Sequence, residues 1–165
     1  MNRKLVRLLF VLLCFKLSWV QATPFDQGVI NFSLLVGSGR AYNDNYTVIG
    51  AGVGYYVTDG LQLGLDYEYW SGGDPTIKQI SPRINYVFSR RESFSPYVGV
   101  FYRRTKIDTL PDSDAYGARA GAYLRSGRNV FMGFGMAYIE YKDCQESLFS
   151  NCSDTYPEFT LGFYY

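Results

Sequence analysis

Residues 61–70 read Leu61-Gln62-Leu63-Gly64-Leu65-Asp66-Tyr67-Glu68-Tyr69-Trp70. From 61 to 69 every odd position is Leu or Tyr, and the even positions between them are Gln, Gly, Asp and Glu. That is a period of two, the repeat of an extended strand whose side chains point alternately to opposite faces. One face is apolar and the other carries two carboxylates, Asp66 and Glu68. Residues 77–88 repeat the pattern, with Ile80, Pro82, Ile84, Tyr86 and Phe88 set against Ser81, Arg83 and Asn85. Residues 114–124 alternate Tyr116, Ala118, Ala120, Ala122 and Leu124 with Gly117, Arg119, Gly121 and Tyr123. The last ten residues alternate Phe159, Leu161, Phe163 and Tyr165 with Glu158, Thr160, Gly162 and Tyr164.

Outward from these segments, the chain divides into eight stretches rich in Val, Ile, Leu, Tyr, Phe and Gly and bounded by turn residues: 27–37, 47–57, 61–70, 77–88, 95–104, 114–124, 129–141 and 156–165. A tilted strand needs about 9–11 residues to cross a bilayer, and these lengths fit. The connections alternate in character. Those at 58–60, 89–94 and 125–128 are short, while those at 38–46, 71–76, 105–113 and 142–155 are polar and mostly longer. Short turns at one end and long loops at the other are the asymmetry of a transmembrane barrel.

A soluble barrel also alternates, with the apolar face inward. Two observations favour the inverted arrangement. Charges of both signs sit mid-segment on the polar face (Asp66, Glu68 and Glu158 against Arg83, Arg103 and Arg119), and such groups tolerate desolvation only when paired. Aromatics collect near the segment ends: Tyr55, Tyr86, Phe88, Tyr97, Phe163 and Tyr165 by the short turns, and Tyr67, Tyr69, Trp70, Tyr102, Tyr116, Tyr138 and Tyr141 by the long loops. Two aromatic belts mark two membrane interfaces. Gly50, Gly52, Gly54, Gly99, Gly117 and Gly121 fall on inward positions, where they leave room for arginines and tyrosines in a lumen only wide enough for side chains. As a dinucleotide loop, Gly50-Ala51-Gly52-Val53-Gly54 has the wrong spacing and no following helix. The seventh segment leaves two registers open. Phe131, Met132, Phe134 and Met136 put apolar groups on both faces, and Glu140 faces the lumen only if a bulge intervenes.

The N-terminal 22 residues differ from the rest. Arg3, Lys4 and Arg7 precede an apolar run from Leu8 to Phe15, and Val20-Gln21-Ala22 suits cleavage before Thr23. The expected organisation is a signal peptide at 1–22 and a barrel domain at 23–165. Four of the 16 basic residues and none of the 15 acidic ones lie in 1–22. The remainder is therefore slightly acidic, which argues against nucleic-acid binding. Export places Cys144 and Cys152 in an oxidising compartment, where a disulfide is the default. Two Cys and no His fall short of a metal site, and no motif requires a cofactor.

With strands, faces and belts assigned, the chain resembles the small eight-stranded outer-membrane proteins of the OmpA, OmpX and opacity type. The resemblance covers nearly all of 23–165. It is carried by that architecture, by Val53-Gly54-Tyr55-Tyr56-Val57-Thr58-Asp59-Gly60-Leu61 and Ser95-Pro96-Tyr97-Val98-Gly99, and by the terminal Phe163-Tyr164-Tyr165, which looks like the assembly signal of that class. It departs in ending on Tyr where Phe is usual and in having Thr160 where Gly is common. The resemblance implies an all-β, eight-stranded antiparallel up-and-down barrel in a Gram-negative outer membrane. Its implied partners are membrane lipids, lipopolysaccharide and the β-barrel assembly machinery, and it implies no single activity.

The absence of His removes the commonest general base. Asp66 and Glu68 beside Arg83 and Arg119 read as a structural ion network rather than a catalytic pair. The expected role is structural or surface-interacting, in adhesion or envelope integrity. The alternative is a small channel or transporter for ions or small apolar molecules, and a lipid-modifying enzyme ranks below both. Arg103, Arg104 and Lys106 gather where the fifth segment leaves the membrane, a position suited to lipopolysaccharide phosphates.

Overall fold

The computed structural model describes residues 23–41, 44–88, 93–108, 111–126, 129–142 and 152–165, without the side chains of 37–44. The expected signal peptide at 1–22 and Cys144 lie outside the described residues. Eight strands follow in order: β1 Ile30–Ala41, β2 Asp44–Thr58, β3 Leu61–Ser71, β4 Ile77–Val87, β5 Phe94–Ile107, β6 Ser113–Arg125, β7 Val130–Tyr141 and β8 Ser153–Tyr164. Each is antiparallel to its sequence neighbours, and β8 returns to β1 to close a barrel. No described helix is long and apolar enough to cross a membrane.

The alternation read from residues 61–70 sets the two faces of the wall. Leu63, Leu65, Tyr67 and Tyr69 point outward and are exposed, while Gln62 and Glu68 are buried in the lumen. On β4, Ile80, Ile84 and Tyr86 are exposed, and Ser81, Arg83 and Asn85 are buried. The outer surface is therefore apolar and the interior polar at mid-barrel, the reverse of a soluble core.

Several expectations are corrected. The polar stretch 38–46 is not a long loop: β1 and β2 extend through it, paired down to Ala41 with Asp44. Polar side chains do not stop a β-ladder, because its bonds come from the backbone. β5 likewise runs on to Ile107, and β8 begins at Ser153, three residues before the segment expected there. Tyr97 is buried rather than part of the belt by the short turns, since it shares the inward parity of Ser95 and Gly99. Trp70 and Tyr141 also carry inward parity and leave the opposite belt. The register of β7 is regular, with Tyr116 opposite Glu140 and Phe131 opposite Gly162. Phe131 therefore points inward, and Met132, Phe134 and Met136 outward. Glu140 lies on the outward face at the strand end, and no bulge is needed.

Large side chains are buried near both ends of the barrel. At the short-turn end, residues 23–29 tuck Phe25 into the barrel at 1% exposure. Its ring stacks on Tyr123 at 5.5 Å and meets Tyr56 and Phe131 edge-on, while Tyr97 stacks on Tyr123 at 4.4 Å. Backbone bonds anchor the segment: Gly60 N–H donates to Phe25 O, and Gly28 N–H to Tyr56 O. The Asp59-Gly60 turn needs its glycine, at φ 77°. At the other end, Tyr46, Val48, Ile77 and Ile139 are buried, and the Tyr46 hydroxyl donates to Pro75 O at 2.9 Å from beneath the β3–β4 connection.

One seam is shorter than the rest. β1 and β8 pair at four positions, from Asn31–Tyr164 to Leu34–Leu161. Every other neighbouring pair is registered over at least nine positions. Beyond that point the facing edges of β1 and β8 have no register partner across the seam. Val36 and Phe159, just past it, are 73% and 68% exposed. Pro157, which has no N–H to offer a ladder, lies in the same part of β8.

Candidate functional site in the lumen

Six charged side chains meet between the two mouths. Asp66 and Glu68 come from β3, Arg83 from β4, Arg103 from β5, Arg119 from β6 and Glu158 from β8, all projected inward by strand parity. Arg83 Nε donates to Asp66 Oδ2 at 2.8 Å, and Arg83 Nη1 to Gln62 Oε1. Arg119 lies 3.7 Å from the same Asp66 oxygen and 3.5 Å from Glu158 Oε1. Arg103 donates through Nη2 to Glu68 Oε1 at 3.1 Å and through Nε to Ser81 Oγ at 3.1 Å. Glu68 also accepts from Trp70 Nε1 at 3.3 Å.

Two ion chains result: Gln62–Arg83–Asp66–Arg119–Glu158, and Arg103–Glu68–Trp70. Phe101 joins them, its ring 4.6 Å from the Arg119 guanidinium and 5.2 Å from that of Arg103. Such contacts add attraction when the cation is desolvated. Three cations balance three anions, so the interior carries no net formal charge from this group. The small residues make it possible: a Cβ on Gly64 would strike the Arg83 guanidinium, on Gly52 the Asp66 carboxylate, and on Gly117 the Phe101 ring. Beside the network about 40 Å³ of free space remains, lined by Asn31, Asp66, Arg119 and Glu158 among others. That is room for about three waters.

The structure separates Arg103 from the surface cluster in which the sequence placed it. Arg103 is 4% exposed and turned into the lumen, because neighbouring residues of a strand point to opposite faces. Arg104 and Lys106 share the outward face, and Arg104 pairs with Asp112 at 3.3 Å. Reading charges alone missed the uncharged members Gln62, Ser81 and Asn85, although their inward parity was visible. It also missed Lys78, outward on β4 directly opposite Lys106. The plug formed by Phe25 left no period-two signal, because residues 23–29 are not a strand.

These features define a class: a closed eight-stranded barrel, apolar outside, with a packed ionic interior. The chain has the fold of the eight-stranded outer-membrane barrels. It superimposes on the N-terminal β-barrel domain of Pseudomonas aeruginosa OprF with a TM-score of 0.66 and 16% identity, covering 84% of this chain and 98% of that one. The outer membrane protein OprG of Pseudomonas aeruginosa gives a TM-score of 0.52 at 13% identity, covering 88% and 99%. A de novo designed transmembrane β-barrel gives 0.60 at 16%, covering 85% and 98%. A designed barrel matching this well shows that the likeness is one of architecture. No family profile matches the sequence, and neither does any curated protein.

Proposed function

We propose that the protein is a solid-cored outer-membrane barrel with a structural or surface-interaction role, in envelope integrity or adhesion. The observation that carries this reading is the filled lumen: an aromatic plug at one mouth, buried apolar side chains at the other, and a balanced ion network between them. A signal peptide at 1–22 exports the chain in this reading, and the terminal Phe163-Tyr164-Tyr165 addresses it to the barrel assembly machinery. The short-turn end faces the periplasm and the long-connection end the cell surface, as in barrels of this architecture. A Cys144–Cys152 disulfide braces the last outer connection. Arg104 and Lys106 lie at the outer interface, where they meet lipopolysaccharide.

Planar-bilayer recording of the refolded chain tests the reading. The expected result is silence, and steady selective conductance would overturn it in favour of a small channel. Phe25→Ala, which removes the plug, is expected to stay silent as well, because the ion network still fills the barrel. Conductance appearing only in that variant would show instead that Phe25 is a stopper over an open lumen.

A further inference from the structure

The wall between β4 and β5 is interrupted. Their register runs from Ile77–Ile107 to Ile80–Arg104 and resumes at Arg83–Phe101, so Ser81 and Pro82 have no backbone register partner on β5, although Ser81 Oγ accepts from Arg103 Nε across the gap. Pro82 supplies the reason on its own strand, since it has no N–H to donate. Outside this gap lies an apolar groove of about 510 Å³, lined by Leu63, Pro82, Ile84, Val100 and Tyr102 among others. That volume is in the range of small-molecule sites, roughly 300–1,000 Å³. On the reading above, the groove opens to the hydrocarbon of the membrane.

Cations crown it at its outer end. Arg104 follows Tyr102 on the same face of β5, about 7 Å further along at roughly 3.3–3.4 Å per residue. Lys106 comes next and is registered directly opposite Lys78 of β4. Like charges directly opposite on a sheet repel unless an anion lies between them. Acids are close: Asp108 is 3.9 Å from Lys78, Asp112 is 3.3 Å from Arg104, and Asp114 is the register partner of Arg104 on β6. The first two pairs are at least 41% exposed on every side chain, and exposed pairs of this kind are weak and easily exchanged. Among the described residues, Lys106 makes no ion pair within 4.0 Å.

We propose that this is a lipid site of two parts, in which Lys78, Arg104 and Lys106 hold the phosphorylated head and the groove over Pro82 takes an acyl chain. The occupant is the phosphorylated glycolipid of the outer leaflet, lipid A. Once the exposed Asp108 and Asp112 pairs exchange, three cations spread over two strands match a head with two phosphates better than the single phosphate of a glycerophospholipid. The proposal rests on the outer-membrane orientation given above.

Native mass spectrometry of the full chain in detergent, with purified lipid A or phosphatidylglycerol added, tests it. Wild type is expected to retain lipid A at least tenfold over phosphatidylglycerol. K78A/K106A is expected to lose about tenfold in lipid A retention. Val100→Trp, which fills the groove and leaves the cations, is expected to lose a similar amount. Lys78 and Lys106 face outward, so the lysine variant keeps the test decisive if Val100→Trp fails to fold. Equal retention of the two lipids, or unchanged retention in K78A/K106A, would overturn the site. Heat-modifiable migration, run in parallel, separates the two claims. If it persists while lipid A selectivity is missing, only the site falls. If wild type neither shows it nor enters bilayers, the outer-membrane reading falls.

Discussion

Asp66 serves two arginines at once, 2.8 Å from Arg83 and 3.7 Å from Arg119. Removing one partner of a buried pair leaves an uncompensated charge, at a cost of about 3–5 kcal/mol. Asp66→Ala is therefore expected to destabilise the barrel by that amount in urea unfolding from lipid vesicles. Asp112→Ala, at an exposed pair, is expected to cost less than about 1 kcal/mol. Equal effects would show that the lumen network does not hold the barrel together. The charged members of this network were visible in the sequence, because a charge in the middle of an apolar alternation stands out. The double use of Asp66 was not, since which arginine reaches which carboxylate depends on the register of non-adjacent strands. Tyr97 shows the opposite case: it shares the inward parity of Ser95 and Gly99, which outweighs its nearness to the strand end.

At the scale of elements, the β1–β8 seam is where the wall is thinnest in hydrogen bonds. Unpaired backbone groups within hydrocarbon cost several kcal/mol each, and exposed edges open readily. Amide hydrogen exchange in detergent is expected to be faster at Val36 and Phe159, whose N–H groups face the open seam, than at Ala120 and Met136, which are register partners in the long β6–β7 ladder. Equal protection would mean that the seam is zipped along its length. The strand count and the order of strands follow from period-two segments and alternating turn lengths, and both were legible. Strand ends at 38–46 were not, because a ladder built from backbone bonds continues through polar residues. The short seam was not legible either, since nothing in β1 or β8 taken alone reports the pairing of the two chain ends.

At the scale of the molecule, one feature of residues 61–70 governs the rest: the apolar positions face out. An inward apolar face would give a lipocalin-like soluble barrel with the same alternation, so composition cannot separate the two. Charges of both signs on several polar faces, collected into one closed interior, do separate them. The buried Phe25 and Tyr46 add what the alternation did not show, because they act through tertiary contacts with Tyr123, Phe131 and Pro75. The orientation of the wall can be measured directly. Single spin labels at Leu65 and Ile84, in a cysteine-free background reconstituted into phospholipid vesicles, report collisions with oxygen and with a water-soluble nickel complex. The account predicts high oxygen and low nickel accessibility at both positions, and nickel accessibility equal to that of a label on the Asp59-Gly60 turn would contradict it.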